Sequence, residues 1–265
     1  MEHEHVRLER DGFIATVTLD RPGTRNACSW SMWMAIRDCF RELAETETRA
    51  IILTGANGDF CSGADIVSSE KQSDDDTTGW NGNKLTAMRL LGESVIAVHD
   101  CPIPVIAKVD GYAVGAAFGL ALAADLLWCS DRAKFSAVFA KLGLSLDYGS
   151  SYFLAQRIGL HKAKEIAFTA EMIPADRADR LGFVNAVVPA DELDAAVDEL
   201  AQRIAAGPPI ALGMTKRQLD NAAHSSLVHA LETEAIAQNV NLGTEDMMEA
   251  LTAFGQKRPP EFHGR

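Results

Sequence analysis

A chain of 265 residues, 47% hydrophobic and 23% charged, is long enough to bury a substantial core and lies far from the compositions of disordered or fibrous proteins. Its formal net charge of -12, with no long Lys/Arg block, excludes a general attraction to nucleic-acid phosphates or anionic lipid. No apolar run reaches the roughly 18 residues of a membrane span. The opening MEHEHVRLER lacks the basic and apolar regions of a signal peptide, so a cytoplasmic protein is expected.

Val6 to Leu19 reads as a β-hairpin turning at Asp11-Gly12, with Phe13, Ala15, Val17 and Leu19 expected to face the core. Ser29 is placed to cap a helix carrying Trp33, Ile36, Phe40 and Leu43 at helical spacing. Ala50 to Thr54 reads as a buried strand ending at Gly55. The polar stretch from Val67 to Asn83 has too few apolar residues to build core and is expected to be a mobile surface loop. A helix around Leu85 to Val98, a strand at Pro104 to Val109, the small-residue run Gly111 to Asp125 and a strand at Leu126 to Ser130 follow.

Beyond Gly149 the pattern is mostly helical: Ser150 to Arg157, His161 to Thr169, Ala175 to Leu181, Asp191 to Ala206, Ile210 to Ala222, Leu227 to Leu242 and Thr244 to Phe254, interrupted by a strand at Val184 to Val188. Alternating strands and helices followed by a helical tail indicate an α/β fold, with residues 1–206 as core and 207–265 as a C-terminal helical region.

Cys28, Cys39, Cys61, Cys101 and Cys129 have no CxxC spacing and read as reduced thiols. No metal site is expected. His3 and His5 alternate with Glu, and His224 and His229 are five apart, poor spacing for one helix face.

Two segments share a layout in which a buried strand runs into a glycine-containing turn that can open a helix: AIILTGANGDFCSGADI, Ala50 to Ile66, and PVIAKVDGYAVGAAFGLALAAD, Pro104 to Asp125. Such turns free backbone N–H groups, because the first donors of a helix have no partner within it. Two that converge can hold an oxyanion. Taken alone, either segment also reads as ordinary close backbone packing. Neither carries the GxxxxGK[ST] or GxGxxG phosphate-binding pattern.

In order along the chain, these segments resemble the crotonase family of enoyl-CoA hydratases and isomerases. The likeness also rests on RPGTRNACS (Arg21 to Ser29), LGLSLDYGSSYFLAQRIG (Leu142 to Gly159), ADRADRLGFVNAVVP (Ala175 to Pro189) and QKRPPEF (Gln256 to Phe262), and so spans nearly the whole chain. It implies a spiral of ββα units in two nearly perpendicular sheets, with terminal helices that assemble trimers or pairs of trimers. It also implies an acyl-CoA substrate, whose CoA is part of the thioester and not a separate cofactor, held in an oxyanion hole made by the amides of Ala64 and Ala116. For the CoA portion it points to Arg25, Ala27, Ala64, Asp65 and Ile66, and to Lys257 and Phe262 in a segment that relatives lend to the same or a neighbouring site.

Typical hydratases of the family flank a water with two glutamates. The matching positions here are Gly119 and Phe139, neither of which transfers a proton. Asp147, in GLSLDYGSSY, matches instead the family members in which an aspartate acts as base or nucleophile, including double-bond isomerases. One carboxylate suffices to take a proton from one carbon and return it at another. Such an aspartate needs burial against apolar neighbours to become a better base than its ordinary pKa of about 3.9 allows, and Phe139 and Phe118 are candidates for that role and for lining the substrate pocket. Phe139 reads equally as core, and Asp147 also as a cap of the following helix. Asp125 and Asp65 read as structural turn and cap residues, and Cys61 as packing. The expectation is an acyl-CoA double-bond isomerase. A hydratase with an atypical site and an inactive acyl-CoA binder are the alternatives.

Overall fold

The computed structural model of the chain describes residues 4–66 and 83–265. The loop expected at Val67 to Asn83 lies outside the described residues, apart from Asn83 itself, whose side chain caps the next helix by accepting from the amides of Leu85 and Thr86.

Strands β1 (Val6–Asp11) and β2 (Ile14–Leu19) form the antiparallel hairpin, with Asp11 opposite Ile14. Ala15, Val17 and Leu19 are buried, but Phe13 is 43% exposed. It sits in the turn before β2 begins, and its ring face is covered by the Arg49 guanidinium 3.8 Å away. Helix α1 (Trp30–Leu43) starts at Ser29, whose hydroxyl accepts from the Met32 amide, and buries Trp33, Ile36, Phe40 and Leu43. Next come β3 (Ala50–Gly55), α2 (Lys84–His99), β4 (Val105–Val109), β5 (Tyr112–Val114), α3 (Ala116–Ala123), β6 (Leu126–Ser130), β7 (Lys134–Ser136) and a single 3-10 turn, Val138–Leu142.

After the hairpin, β2, β3, β4, β6 and β9 (Ala186–Val188) pair in parallel in one six-stranded sheet of order β1-β2-β3-β4-β6-β9. Both faces of its centre are covered, which explains the unbroken apolar runs AIIL and VIA. Ile51, Leu53, Val105 and Ala107 join the main core, whereas Ala50, Ile52 and Ile106 face α6 (Leu193–Ala205) and pack on its Val197 and Ala201. Strands β5 and β7 make a second, three-stranded sheet with β8 (Ile173–Pro174).

Helix α3 is buried at every residue, as expected of a helix that is apolar all round. Its Phe118 ring lies 5.6 Å from Phe135 and 5.3 Å from Phe183, and those two lie 5.2 Å apart. Helix α4 (Ser150–Thr169) joins the two helices expected there across a kink at Gly159, where φ is 73° and ψ is 161°. It is followed by α5 (Ala175–Leu181). Helices α7 (Pro209–Ala222), α8 (Leu227–Asn241) and α9 (Glu245–Gln256) close the chain and bury little of themselves, with Leu227, Val228, Leu231, Ile236 and Phe254 exposed. The tail returns to the molecule: the buried Asp246 carboxylate accepts from the amides of His263 (2.6 Å) and Gly264 (2.9 Å), and Arg49 donates to the Phe262 carbonyl at 2.8 Å. Among the described residues no helix is long and apolar enough to cross a membrane.

Replacing Phe118 by alanine opens a cavity in the three-ring cluster and is expected to cost about 3–5 kcal/mol of unfolding free energy, read as a lowered urea midpoint.

Candidate active site

The first turn, residues 55–66, is shaped by Asn26, which is buried and has a left-handed φ of 57°. Its side-chain NH2 donates to the carbonyls of Ala56 and Asp59, each at 2.9 Å, and its Oδ1 accepts from the Arg21 amide at 3.0 Å. Arg21 donates from Nη1 to Asp65 Oδ2 (2.6 Å) and to the Ala27 carbonyl (2.9 Å). These bonds lay residues 27–28 along residues 63–65 as a one-rung parallel bridge: the Cys28 amide donates to the Gly63 carbonyl (2.8 Å) and the Asp65 amide to the Cys28 carbonyl (2.9 Å). Successive amides of an extended segment point to opposite sides. The Ala64 N–H therefore faces away from the rung and has no acceptor among the described residues.

The second turn runs from β4 through β5 to Gly115. There φ is 59° and ψ is -125°, a conformation that suits glycine, and the Gly115 amide donates to the Ser136 carbonyl at 2.8 Å. Ala116 then opens α3, and its amide, among the orphan donors of a helix N-terminus, also lacks an acceptor among the described residues. The two turns are stitched together by the Cys61 amide on the Tyr112 carbonyl (2.8 Å) and the Val114 amide on the Cys61 carbonyl (3.2 Å). Gly63, at φ 105°, approaches so closely that a Cβ there would stand 2.7 Å from the Val114 oxygen and 3.8 Å from the Ala116 nitrogen. Residue 64 thus follows directly on the point where the two turns touch, and its free N–H and that of Ala116 belong to adjoining loops.

Asp147 precedes α4. Tyr148 and Gly149 both take left-handed φ values, 49° and 72°, and the Asp147 carbonyl accepts from the Ser150 amide at 2.9 Å. No side chain caps α4, so Asp147 is not its cap. Asp147 Oδ1 is buried with no hydrogen-bond partner among the described residues, and burial pushes the carboxyl pKa up to about 6. The Tyr148 carbonyl points at Gly119: a Cβ on residue 119 would stand well inside van der Waals contact with that oxygen and 2.8 Å from Ser150 Oγ. Ala116 and Gly119 are three residues apart on α3, about 4.5 Å along its axis. One helix therefore sets the second free amide relative to the Asp147 segment.

The other candidate residues divide between this site and the rest of the molecule. Phe118 points into the three-ring core cluster and Phe139, in the 3-10 turn, is buried in the same core. No residue of α3 is exposed, and the Phe118 ring turns inward onto Phe135 and Phe183. Gly119 offers no lining side chain. Arg25, with a side chain 62% exposed, sits over the Tyr112 ring and 3.8 Å from Asp59, on the same loop as Ala27. Asp65 pins the first turn through Arg21, and Ile66, half-exposed, closes that turn. Asp125 is structural: it accepts from the Val105 amide (2.7 Å) and pairs with Lys216 (2.8 Å), while burial pushes its pKa up against that pairing.

Lys257, with a left-handed φ, caps the C-terminal end of α9. Phe262 lies near Arg49, at the opposite end of β3 from the first turn, so it does not join the site of its own chain. All five cysteines are free and buried, and Cys28 Sγ and Cys61 Sγ stand 3.7 Å apart beneath the first turn. No group of three or more His, Cys, Asp or Glu side chains among the described residues is arranged to hold a metal ion. Sequence reasoning passed over Asn26, Arg21 and Tyr148. An Asn within a turn-rich, glycine-bearing stretch is a signal for a left-handed residue, and RPGTRN contains one.

The chain belongs to the enoyl-CoA hydratase/isomerase family, whose model matches residues 9–265. It is 34% identical to a Rhodobacter capsulatus protein named "Probable enoyl-CoA hydratase", over the whole of both chains. It is 30% identical to the 1,2-epoxyphenylacetyl-CoA isomerase of Escherichia coli, with 95% of each chain covered. The crystal structure of an enoyl-CoA hydratase from Bacillus anthracis superposes with a TM-score of 0.91 at 28% identity, covering 98% of this chain and 100% of that one. The two-sheet crotonase fold expected from the sequence is thereby established.

Removing the Asn26 side chain strands buried carbonyls and loosens the first turn. Asn26→Ala is expected to lower stability by about 1–3 kcal/mol and to reduce kcat/KM beyond what the stability loss explains, measured by urea unfolding and initial rates side by side.

Proposed function

We propose that the protein shifts a carbon–carbon double bond in an enoyl-CoA thioester, with Asp147 as the proton carrier. The thioester oxygen sits against the amides of Ala64 and Ala116. Asp147 takes a proton from C2 of a 3-enoyl group, the C–H electrons form the C2–C3 double bond, and the C3–C4 π electrons take the same proton back at C4. Negative charge collects on the thioester oxygen in between, and each amide aimed at it contributes about 3 kcal/mol of barrier lowering.

The observation that carries this reading is Asp147 Oδ1, buried and without a partner among the described residues, on the segment whose next carbonyl crowds position 119 and leaves no room there for any side chain. With a pKa of about 6 the group is ionised at neutral pH, yet basic enough to accept a carbon-bound proton and acidic enough to return it. A second carboxylate to handle water is missing at 119 and at 139. The backbone at residues 64–66 and the exposed Arg25 are the groups offered to CoA. Phe262 lies at the opposite end of β3 from the first turn, and together with the exposed apolar residues of α8 this supports assembly as trimers or pairs of trimers, in which the tail reaches a neighbour. Hydratase names among the relatives favour a second reading, water addition through Asp147 alone, which a direct assay of crotonyl-CoA hydration separates from the first.

Asp147→Asn is expected to lower kcat for 3-enoyl-CoA by about 10² to 10⁴-fold with KM little changed. Retained activity in that variant rules the assignment out. In the parent protein kcat/KM should rise with pH through an apparent pKa near 6, because the base must be ionised.

The folded-state pKa lies above the unfolded value of about 3.9, so Asp147 favours the fold at low pH and its ionisation weakens the fold as pH climbs from about 4 through 6. The Asn variant should therefore be at least as heat-stable as the parent at pH 8. Gly119→Glu should destabilise the fold without creating a hydratase, because its Cβ has no space beside the Tyr148 carbonyl.

A further inference from the structure

Next to Asp147, two more polar atoms are buried without partners: the Tyr148 hydroxyl and Ser150 Oγ. Three such atoms within four residues, on the segment that packs against Gly119, form a concentration of unmet hydrogen-bonding capacity that folding alone does not favour. Tyr148 is the most telling of them. It is only 7% exposed, its ring lies 4.4 Å from that of Trp33 in α1, and its own backbone is held left-handed at φ 49°. A large aromatic residue in that conformation costs free energy, and such costs persist at functional positions.

The surroundings of the phenol keep its proton in place. Burial first, and then the neighbouring Cys28, Asp147 and Cys61 groups, hold its pKa well above the ordinary phenol range. Cys28 pairs with Ala64, and Cys61 binds the turn that leads to Ala116. Tyr148 spans from Gly119, which its carbonyl meets one turn along α3, to Trp33 in the helix that follows the Cys28 rung, and its hydroxyl stays protonated throughout the physiological range. It is a donor in need of an acceptor.

We propose that Tyr148 is a specificity-determining residue whose hydroxyl donates to an oxygen atom borne by the acyl group, so that the site prefers oxygen-substituted acyl-CoA esters to plain hydrocarbon ones. This rests on the acyl-CoA reading of the site and adds the class of acyl group. The phenol is not bonded to Asp147 in this structure: its oxygen and Asp147 Oδ1 are both without partners among the described residues. With an oxygen on the ligand, the phenol gains its missing bond; with a hydrocarbon it does not, and the difference appears as selectivity.

The test is calorimetric titration of butyryl-CoA and of each enantiomer of 3-hydroxybutyryl-CoA into the parent protein and into Tyr148→Phe. The parent should bind one hydroxy ester about tenfold more tightly than butyryl-CoA, and the ratio should fall close to one in the variant. A parent ratio near one, or a ratio that survives the substitution, overturns the proposal. If none of the CoA esters binds, the acyl-CoA reading falls with it, whereas butyryl-CoA binding without preference overturns only the role of Tyr148. Should the variant fail to fold, a structure of the parent with the favoured ester decides. The Tyr148 hydroxyl within hydrogen-bonding distance of the acyl oxygen supports the proposal, and a water on the phenol with the acyl oxygen elsewhere contradicts it.

Discussion

Two main-chain N–H groups left without acceptors among the described residues, where two loops meet, are the constraint on which the rest of this site depends. Ala64 owes its free amide to a one-rung bridge that uses the amides of Cys28 and Asp65 and turns the one between them away. Ala116 owes its own to the start of a helix. Leaving polar groups unpaired costs stability, and the cost recurs around them in Asp147 and Tyr148. In the proposed mechanism a substrate oxygen that gathers charge during reaction supplies the missing acceptor, and fixed amides stabilise that charge without having to reorganise.

Helix α3 links the proposed oxyanion hole to the proposed proton carrier. Its first residue carries one of the free amides, and one turn later Gly119 admits the carbonyl of Tyr148, which fixes the segment holding Asp147. The same close approach that brings Asp147 inward removes the space a side chain at 119 would occupy. A single buried carboxylate and a crowded second position are thus two consequences of one backbone contact. Proton transfer between carbons of one substrate needs no more than the first, whereas the two-glutamate arrangement implied for typical hydratases of the family needs the second.

Much of the fold was legible in the sequence because its signals are local and repeated. The apolar runs of β3 and β4, the Ser29 cap and the 3.6-residue spacing of α1 each state their own structure. The second sheet was implied by the family resemblance alone and not by its own residues: β5, β7 and β8 are two or three residues long, too short to show an alternation, and their pairing is decided by distant chain. The turns bearing Ala64 and Ala116 and the departure at Gly119 could be read from the sequence. The fact that the Phe118 ring turns into the core could not, since an all-apolar helix gives no hint of which side faces what. Asn26 escaped notice for a related reason. Its importance lies in bonds to residues some thirty positions away.

The most direct test of the central claim is the infrared spectrum of a bound, non-reacting acyl-CoA labelled with ¹³C at the thioester carbonyl. Two amides converging on that oxygen polarise the bond, so its stretching band should move to lower wavenumber on binding, relative to the same ester in water. A band that stays where water leaves it, with the ligand demonstrably bound, would mean that the Ala64 and Ala116 amides do not meet on the oxygen and that the mechanism built on them is wrong.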